Sequence, residues 1–224
     1  MPAPELLERL AGAIVRLSKS EAAAAAEAAL AAGLSPYTII ADGLSRGMQT
    51  VGEAFRRNEV FIPEVLVACD AYYAGLNVVK PLIDQNDQRR FFAKMVIGTI
   101  HGDIHTVGKD VAVPVFQAAG FQVIDLGTAV PDQQFVAAIR EHQPELVGLG
   151  TYMTATFMHT RATVDAITEA GLRDQVKIIC GGPSVDAETA RRMGADDASD
   201  NAWDAVEKMR ALVAALRQEK AARA

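Results

Sequence analysis

From Phe92 onward the chain alternates short apolar runs with stretches of helical period, and this rhythm restricts its fold more than any other feature. The pattern predicts strands at 94–100, 121–126, 145–150, 176–180 and about 195–199, with helices at 107–119, 132–142, 155–170, 186–193 and 201–218. Gly120 and Gly171 stop helices, and Pro131 and Pro144 punctuate loops. Asp132 and Asp186 stand near helix starts, where a carboxylate caps free N–H groups. Alternation at this spacing argues a parallel sheet with helices on both faces.

The chain before Phe92 reads differently. Leu6, Leu7, Leu10, Ile14 and Leu17 follow a helical period. A second helix, 21–32, is nearly all alanine, the best helix former, with Ser18 or Ser20 as its cap and Gly33 as its stop. A third starts at Ser35-Pro36 and runs through Ile39, Leu44, Met48, Val51 and Phe55; a fourth spans 64–82. Helices with short connections make an antiparallel bundle. Residues 84–90 (Asp-Gln-Asn-Asp-Gln-Arg-Arg) have no apolar period and read as a linker. The expected fold class is therefore α/β, with an N-terminal four-helix bundle (1–88) before a flavodoxin-like, Rossmann-type five-stranded parallel sheet (89–224). In that strand order the switch point lies between the first and third strands, whose ends carry the two unusual loops of this chain.

Composition narrows the partners. Half the residues are hydrophobic, enough for a real core, and the net charge of −6 with no basic stripe argues against nucleic acid. Cys69 and Cys180 lie in separate apolar runs and read as buried thiols. The start, Met1-Pro2-Ala3-Pro4-Glu5, lacks a basic end and an apolar signal core, and no apolar run is judged long enough to span a membrane. The expectation is a soluble cytoplasmic protein.

The first strand and the loop after it carry the chemistry. The apolar run Met95–Ile100 breaks at Gly102, and a helical pattern resumes through Val107, Val111, Val115 and Phe116. Asp103 and His105 thus fall on a loop leaving the carboxyl end of a strand, where open α/β sheets bind ligands. An imidazole is a metal ligand, and a carboxylate beside it fixes its tautomer and raises its basicity. Gly108 allows close backbone approach. His101, four residues before His105, does not make a zinc pair with it, because the two straddle a glycine-containing loop instead of sharing a helix face. His142 and His159 lie in helical segments with no evident partner.

Downstream, a Gly-Leu-Gly-Thr-Tyr-Met-Thr run (148–154) ends the third strand, and Cys180-Gly181-Gly182 ends the fourth. In this order the motifs resemble the cobalamin-binding domain of corrinoid proteins that serve methyltransferases, related to the cobalamin module of methionine synthase. The resemblance covers roughly residues 35 to 210. It implies cobalamin as cofactor, with cobalt as the metal and His105 as its lower ligand in place of the displaced dimethylbenzimidazole base. The corrin supplies four equatorial nitrogens, so one protein donor suffices. It implies cofactor contacts at Gly102, Asp103, Ile104, Thr106 and Gly108 on the first loop, at Gly150, Thr151, Thr154 and Thr156 after the third strand, and at Gly181 and Gly182. Asp103 accepts the other imidazole proton, and Thr156 falls where a hydroxyl completes a histidine–aspartate relay. Small residues, Gly148, Gly150, Gly181 and Gly182, leave a slot for the base arm. The stretch from Gly43 to Phe55 and then Phe61-Ile62-Pro63-Glu64 is similar to the helical cap that covers the upper corrin face in this family.

The chain departs from the family at one point. Relatives carry Ser-x-Leu at the end of the third strand, and here the residues are Gly150-Thr151-Tyr152. The serine hydroxyl is missing, either Thr151 or a water takes its place, and Tyr152 changes the packing against the arm. Thr106 stands where an acidic residue is common in the methyl carriers. The implied function is a carrier subunit of a multicomponent methyltransferase, passing a methyl group on its cobalt. Its expected partners are a donor-specific methyltransferase and an acceptor or reactivating enzyme, with no nucleic acid and no membrane, and with a homodimer left open. The alternatives are a cobalamin-dependent sensor or regulatory protein, an isomerase subunit, and an α/β domain that has lost the cofactor.

Overall fold

The computed structural model describes residues 2–83 and 91–223. The chain divides into two compact units, a helical one before Phe91, with which Gln117–Gly120 are grouped, and an α/β one made of Phe91–Phe116 and the chain from Phe121 onward. The linker expected at 84–90 lies outside the described residues.

In the helical unit, α1 (Ala3–Val15) and α2 (Lys19–Ala31) are joined by a short turn in which the Ser18 hydroxyl accepts from the Glu21 N–H, so Ser18 and not Ser20 is the cap. Ala22, Ala25, Ala26 and Ala29 form one buried stripe along α2, at the i, i+3, i+4, i+7 spacing of a single face. Methyl-sized side chains there let α2 pack closely on α1 and on α4 (Ile62–Val79). The third helix, α3, is not the regular helix that its apolar spacing predicts. It runs from Pro36–Thr38 through a π-helical stretch, Ile39–Ser45, into Arg46–Arg56. The wider turn sits where α3 meets α1: a Cβ on Gly43 would lie 2.7 Å from Leu10 Cδ2, and one on Gly47 would lie 2.9 Å from Ile14 Cβ. Close backbone approach across this contact needs glycine.

With its 3₁₀ extension, α4 also corrects the expectation about apolar length. Ile62–Leu82 is 21 residues with a mean hydropathy of 1.2, long and apolar enough by those criteria to cross a membrane. Its charges are few, and its Val65, Ala68, Ala71, Tyr72, Gly75 and Val79 face is buried among the neighbouring helices, while Ile62, Val67 and Leu82 are exposed.

The α/β unit is built as the rhythm predicts. Its strands are β1 (Ala93–Thr99), β2 (Phe121–Asp125), β3 (Leu146–Gly150), β4 (Lys177–Gly181) and β5 (Asp197–Ser199). All pair in parallel, in the order β2-β1-β3-β4-β5. The crossover helices are α5 (Val107–Ala118), α6 (Asp132–His142), α7 (Met158–Glu169) and α8 (Ala187–Arg192), and α9 (Ala202–Arg223) closes the chain. One face of the sheet packs Val96, Val147, Leu149, Ile178 and Cys180 against Phe135, Ile139, Val164 and Ile167 of α6 and α7. Strand order reverses between β1 and β3, which opens a crevice at their carboxyl ends.

Two details of this unit differ from the sequence expectation. Asp132 does not cap α6: Pro131 is the cap residue, and the Asp132 carboxylate accepts from the Thr163 hydroxyl at 2.6 Å, tying α6 to α7. Asp186 caps α8 as expected, accepting from the Thr189 N–H at 2.7 Å. And α7 begins at Met158, three residues later than predicted, because the backbone before it is committed to the site.

Candidate functional site

Strand register sets the frame. Thr99, Gly150 and Gly181 pair side by side at the ends of β1, β3 and β4, so the loops leaving these strands emerge together. The loop after β1 bends at Gly102, whose φ of +78° favours glycine. It is then pinned by backbone bonds from Asp103 N–H to the Ile100 carbonyl and from Ala129 N–H to the Asp103 carbonyl. The buried Thr99 hydroxyl donates to the His105 carbonyl at 3.2 Å.

Asp103 is wholly buried and saturated with donors. Its Oδ1 accepts from His105 Nδ1–H at 2.7 Å and from the His105 backbone N–H at 3.1 Å. Its Oδ2 accepts from the N–H groups of Tyr152 and Met153, at 2.8 and 3.1 Å, and from the Thr156 hydroxyl at 3.2 Å. The Thr156 proton is shared with the Met153 carbonyl, 3.0 Å away. Burial alone would raise the Asp103 pKa. The bonds from the Tyr152 N–H, the His105 ring and backbone and the Thr156 hydroxyl outweigh it and hold the carboxyl below the ordinary aspartate value.

An ionised carboxylate only accepts, so it fixes the proton of His105 on Nδ1 and leaves the lone pair on Nε2. The His105 side chain is 53% exposed, so this lone pair is offered from a half-open ring. Ile104 beside it in the loop is an exposed apolar side chain, as are Val107 at the start of α5, Met153 on the loop after β3 and Met158 at the start of α7. No group of three or more His, Cys, Asp or Glu side chains among the described residues is set to hold a bare metal ion. One well-oriented imidazole on a loop with exposed apolar side chains suits instead a flat macrocycle that brings its own equatorial ligands.

Residues expected at the site fall into three groups. Gly102, Asp103, Ile104, His105, Thr106 and Thr156 gather on the two loops, with the Thr106 carbonyl receiving the Asp110 N–H in the first turn of α5. Gly108, Gly150 and Gly182 surround the ring of Tyr152: a Cβ on Gly108 would overlap Tyr152 Cε1, one on Gly150 would lie 3.0 Å from Cε2, and one on Gly182 3.1 Å from Cδ1. Beside them Gly181 has room, with the nearest atom 3.9 Å from a built Cβ. The rest are placed elsewhere. Thr151 is buried, its hydroxyl bonded to that of Thr160 at 2.9 Å. Thr154 is exposed, and its carbonyl accepts from the Phe157 N–H. Gly148 lines no slot: its space is filled by Met95, whose Cε would lie 2.6 Å from an added Cβ.

His101 is exposed and meets His159 edge to face, with ring centroids 5.0 Å apart, so His159 has a partner that its sequence context did not reveal. Their side chains stand apart from the relay, and His101 borders a shallow depression of about 510 Å³ shared with Asp132 and Asp165. Sequence reasoning missed the backbone N–H groups of Tyr152 and Met153, which no residue type advertises. It also missed Thr99, which a lone hydroxyl at the end of an apolar strand does signal.

Fold and site together define a cobalamin-binding protein. Comparison with known proteins agrees: the B12 binding domain family matches residues 93–220, and a second B12 binding domain family matches residues 6–80. The chain belongs to the B12-binding family, and cobalamin is its cofactor. It is 39% identical over 210 residues to trimethylamine corrinoid protein 1 of Methanosarcina acetivorans, covering 93% of this chain and 97% of that one. It is 37% identical over 214 residues to dimethylamine corrinoid protein 1 of the same organism, covering 96% and 100%. Among solved structures, a cobalamin-binding protein from Desulfitobacterium hafniense is similar with a TM-score of 0.73 at 33% identity, over 92% of this chain and 98% of that one. The methanol:cobalamin methyltransferase complex MtaBC from Methanosarcina barkeri matches with a TM-score of 0.82 at 26% identity, over 98% of this chain and 85% of that one. The sensor alternative finds no support in these comparisons.

Proposed function

We propose that the protein is a corrinoid methyl carrier that binds cobalamin with its own base displaced and His105 as the lower ligand to cobalt. The observation that carries this is the half-exposed His105 ring, held by a buried, ionised Asp103 so that Nε2 keeps its lone pair. Bound cobalamin supplies the cobalt centre at which a methyl group is taken up and given away. The chain's own part is to hold the imidazole at one angle and in one tautomer, and to seat the macrocycle on Ile104, Val107, Met153 and Met158. Thr156 and the N–H groups of Tyr152 and Met153 fix the carboxylate, so the histidine's basicity is set by a network and not by a single contact.

A carrier docks in turn with an enzyme that donates the methyl group and one that accepts it, and the choice of donor lies with those partners. A methylated amine is the donor class favoured by the names of the relatives, which span nearly the whole chain. Reconstitution with hydroxocobalamin tests the ligation. The wild-type protein is expected to take up the cofactor and show the absorbance of histidine-ligated cobalt, and His105→Ala to lose that spectrum. A colourless wild-type protein, or identical spectra for the two, would sink the reading.

A further inference from the structure

Gly150 and Tyr152, where the sequence departs from the pattern its resemblance implies, meet at one place. Tyr152 follows β3, and its ring lies against glycines from three different elements: Gly108 in the first turn of α5, Gly150 at the end of β3 and Gly182 beyond β4. Without side chains the three glycines leave a space, at the carboxyl end of β3 beside the switch point of the sheet. In this structure the phenol ring fills that space, its centroid 6.2 Å from the His105 ring. Burial, with Asp103, Asp110 and Asp125 nearby, pushes its hydroxyl up to about 12, as expected of a ring drawn out of solvent. Gly150, with no side chain, leaves the ring room: a Cβ there would lie 3.0 Å from Tyr152 Cε2.

We propose that the Tyr152 side chain plugs the slot for the cofactor's nucleotide arm and must swing out to admit it, which makes Tyr152 a residue that selects corrinoids by their lower arm. The inference rests on the reading that cobalamin is bound through His105 with its base displaced. The backbone and side chain of Tyr152 have separable tasks. Its N–H holds Asp103 Oδ2 at 2.8 Å, and that bond survives rotation of the side chain about χ1. The histidine relay therefore persists whether the slot is filled or open. A corrinoid with an arm binds only the open form, so its apparent affinity falls by the fraction of open protein. A corrinoid without an arm meets no such cost.

The test compares two probes, hydroxocobalamin and aquocobinamide, the second lacking the nucleotide arm. Each is titrated by absorbance into the wild-type protein, Tyr152→Leu and Tyr152→Phe. Tyr152→Leu is expected to tighten hydroxocobalamin binding about tenfold, the effect of an open fraction near a tenth. Cobinamide binding should change by less than about twofold, and Tyr152→Phe, which keeps the ring, should match the wild type with both probes. Tyr152→Met, unbranched and ringless, carries the same comparison if the leucine variant does not fold. Equal tightening of both probes would mean that the ring shields the cobalt face and not an arm slot, and would overturn the proposal. No change with either probe would overturn it as well. Failure of the wild-type protein to bind either probe would instead remove the cobalamin reading and this inference along with it.

Discussion

The Asp103 carboxylate is fully buried while the His105 imidazole that it grips, 2.7 Å away, is half exposed. This asymmetry places the fixed charge inside and the donor atom outside. Asp103→Asn keeps the shape and breaks the logic. If the amide oxygen faces the Tyr152 and Met153 N–H groups, the amide NH₂ faces Nδ1 and forces the ring proton onto Nε2, where it blocks metal binding. If the amide is reversed, its NH₂ opposes two backbone donors. Either arrangement predicts cobalamin affinity reduced by about 10–100-fold, checked by absorbance titration.

Acid should expose the same carboxylate. The native Asp103 pKa is depressed, so as pH falls the unfolded chain takes up this proton before the native one does. The stabilisation is complete above the ordinary aspartate range and is lost as pH drops through the lower, native value. Urea melts of the cofactor-free protein should thus show a gap between wild type and Asp103→Asn that is wide at about pH 7 and narrows at about pH 3. A gap independent of pH would mean that the native carboxyl titrates where the unfolded one does, and that its bonds do not depress its pKa.

A second charged pair steadies the same loop from beneath. Lys109, 6% exposed, reaches from the first turn of α5 to Asp125 Oδ2 at the end of β2, 2.5 Å away, while Asp125 Oδ1 accepts from the Gly127 N–H. Lys109→Met fills the space and leaves Asp125 without its cation. Because Asp125 keeps contact with solvent, the expected loss is about 1–3 kcal/mol, below that for breaking a fully buried pair. Denaturant melts of the single variants and of Lys109→Met with Asp125→Asn should give a coupling of about 0.5–3 kcal/mol.

The sheet was legible because a buried parallel strand writes a short, nearly continuous apolar run, and Met95–Thr99 and Leu146–Gly150 are such runs bounded by helix signals. His105, Asp103 and Thr156 were legible from a motif whose order survives in this chain. The start of α7 was not. The sequence pattern starts this helix at 155, but the Tyr152 and Met153 N–H groups just before it turn to Asp103, about fifty positions earlier, and a local window cannot see that demand. The π-helical turn of α3 was hidden for a similar reason: Ile39, Leu44 and Met48 keep an apolar period, while the insertion answers to the close contact of Gly43 and Gly47 with α1. The same holds for Thr151, whose side chain bonds that of Thr160.

Gly150 and Tyr152 are structurally coupled. Against the Ser-x-Leu that the resemblance implies, a glycine alone removes a hydrogen-bonding group and a tyrosine alone adds bulk. Side by side they compensate, because a Cβ at 150 would stand 3.0 Å from Tyr152 Cε2 and 3.2 Å from Thr99 Oγ1. Gly150→Ser in the wild-type background must push the ring or the Thr99 side chain, and overpacking of this kind costs about 1–3 kcal/mol. The same substitution made with Tyr152→Leu has room and should cost less. Thermal or urea melts of the two single variants and the double variant therefore predict a favourable coupling of about 0.5–3 kcal/mol between the positions. Additive costs would mean that the ring is free to leave without resistance, and that the glycine is there for some other neighbour.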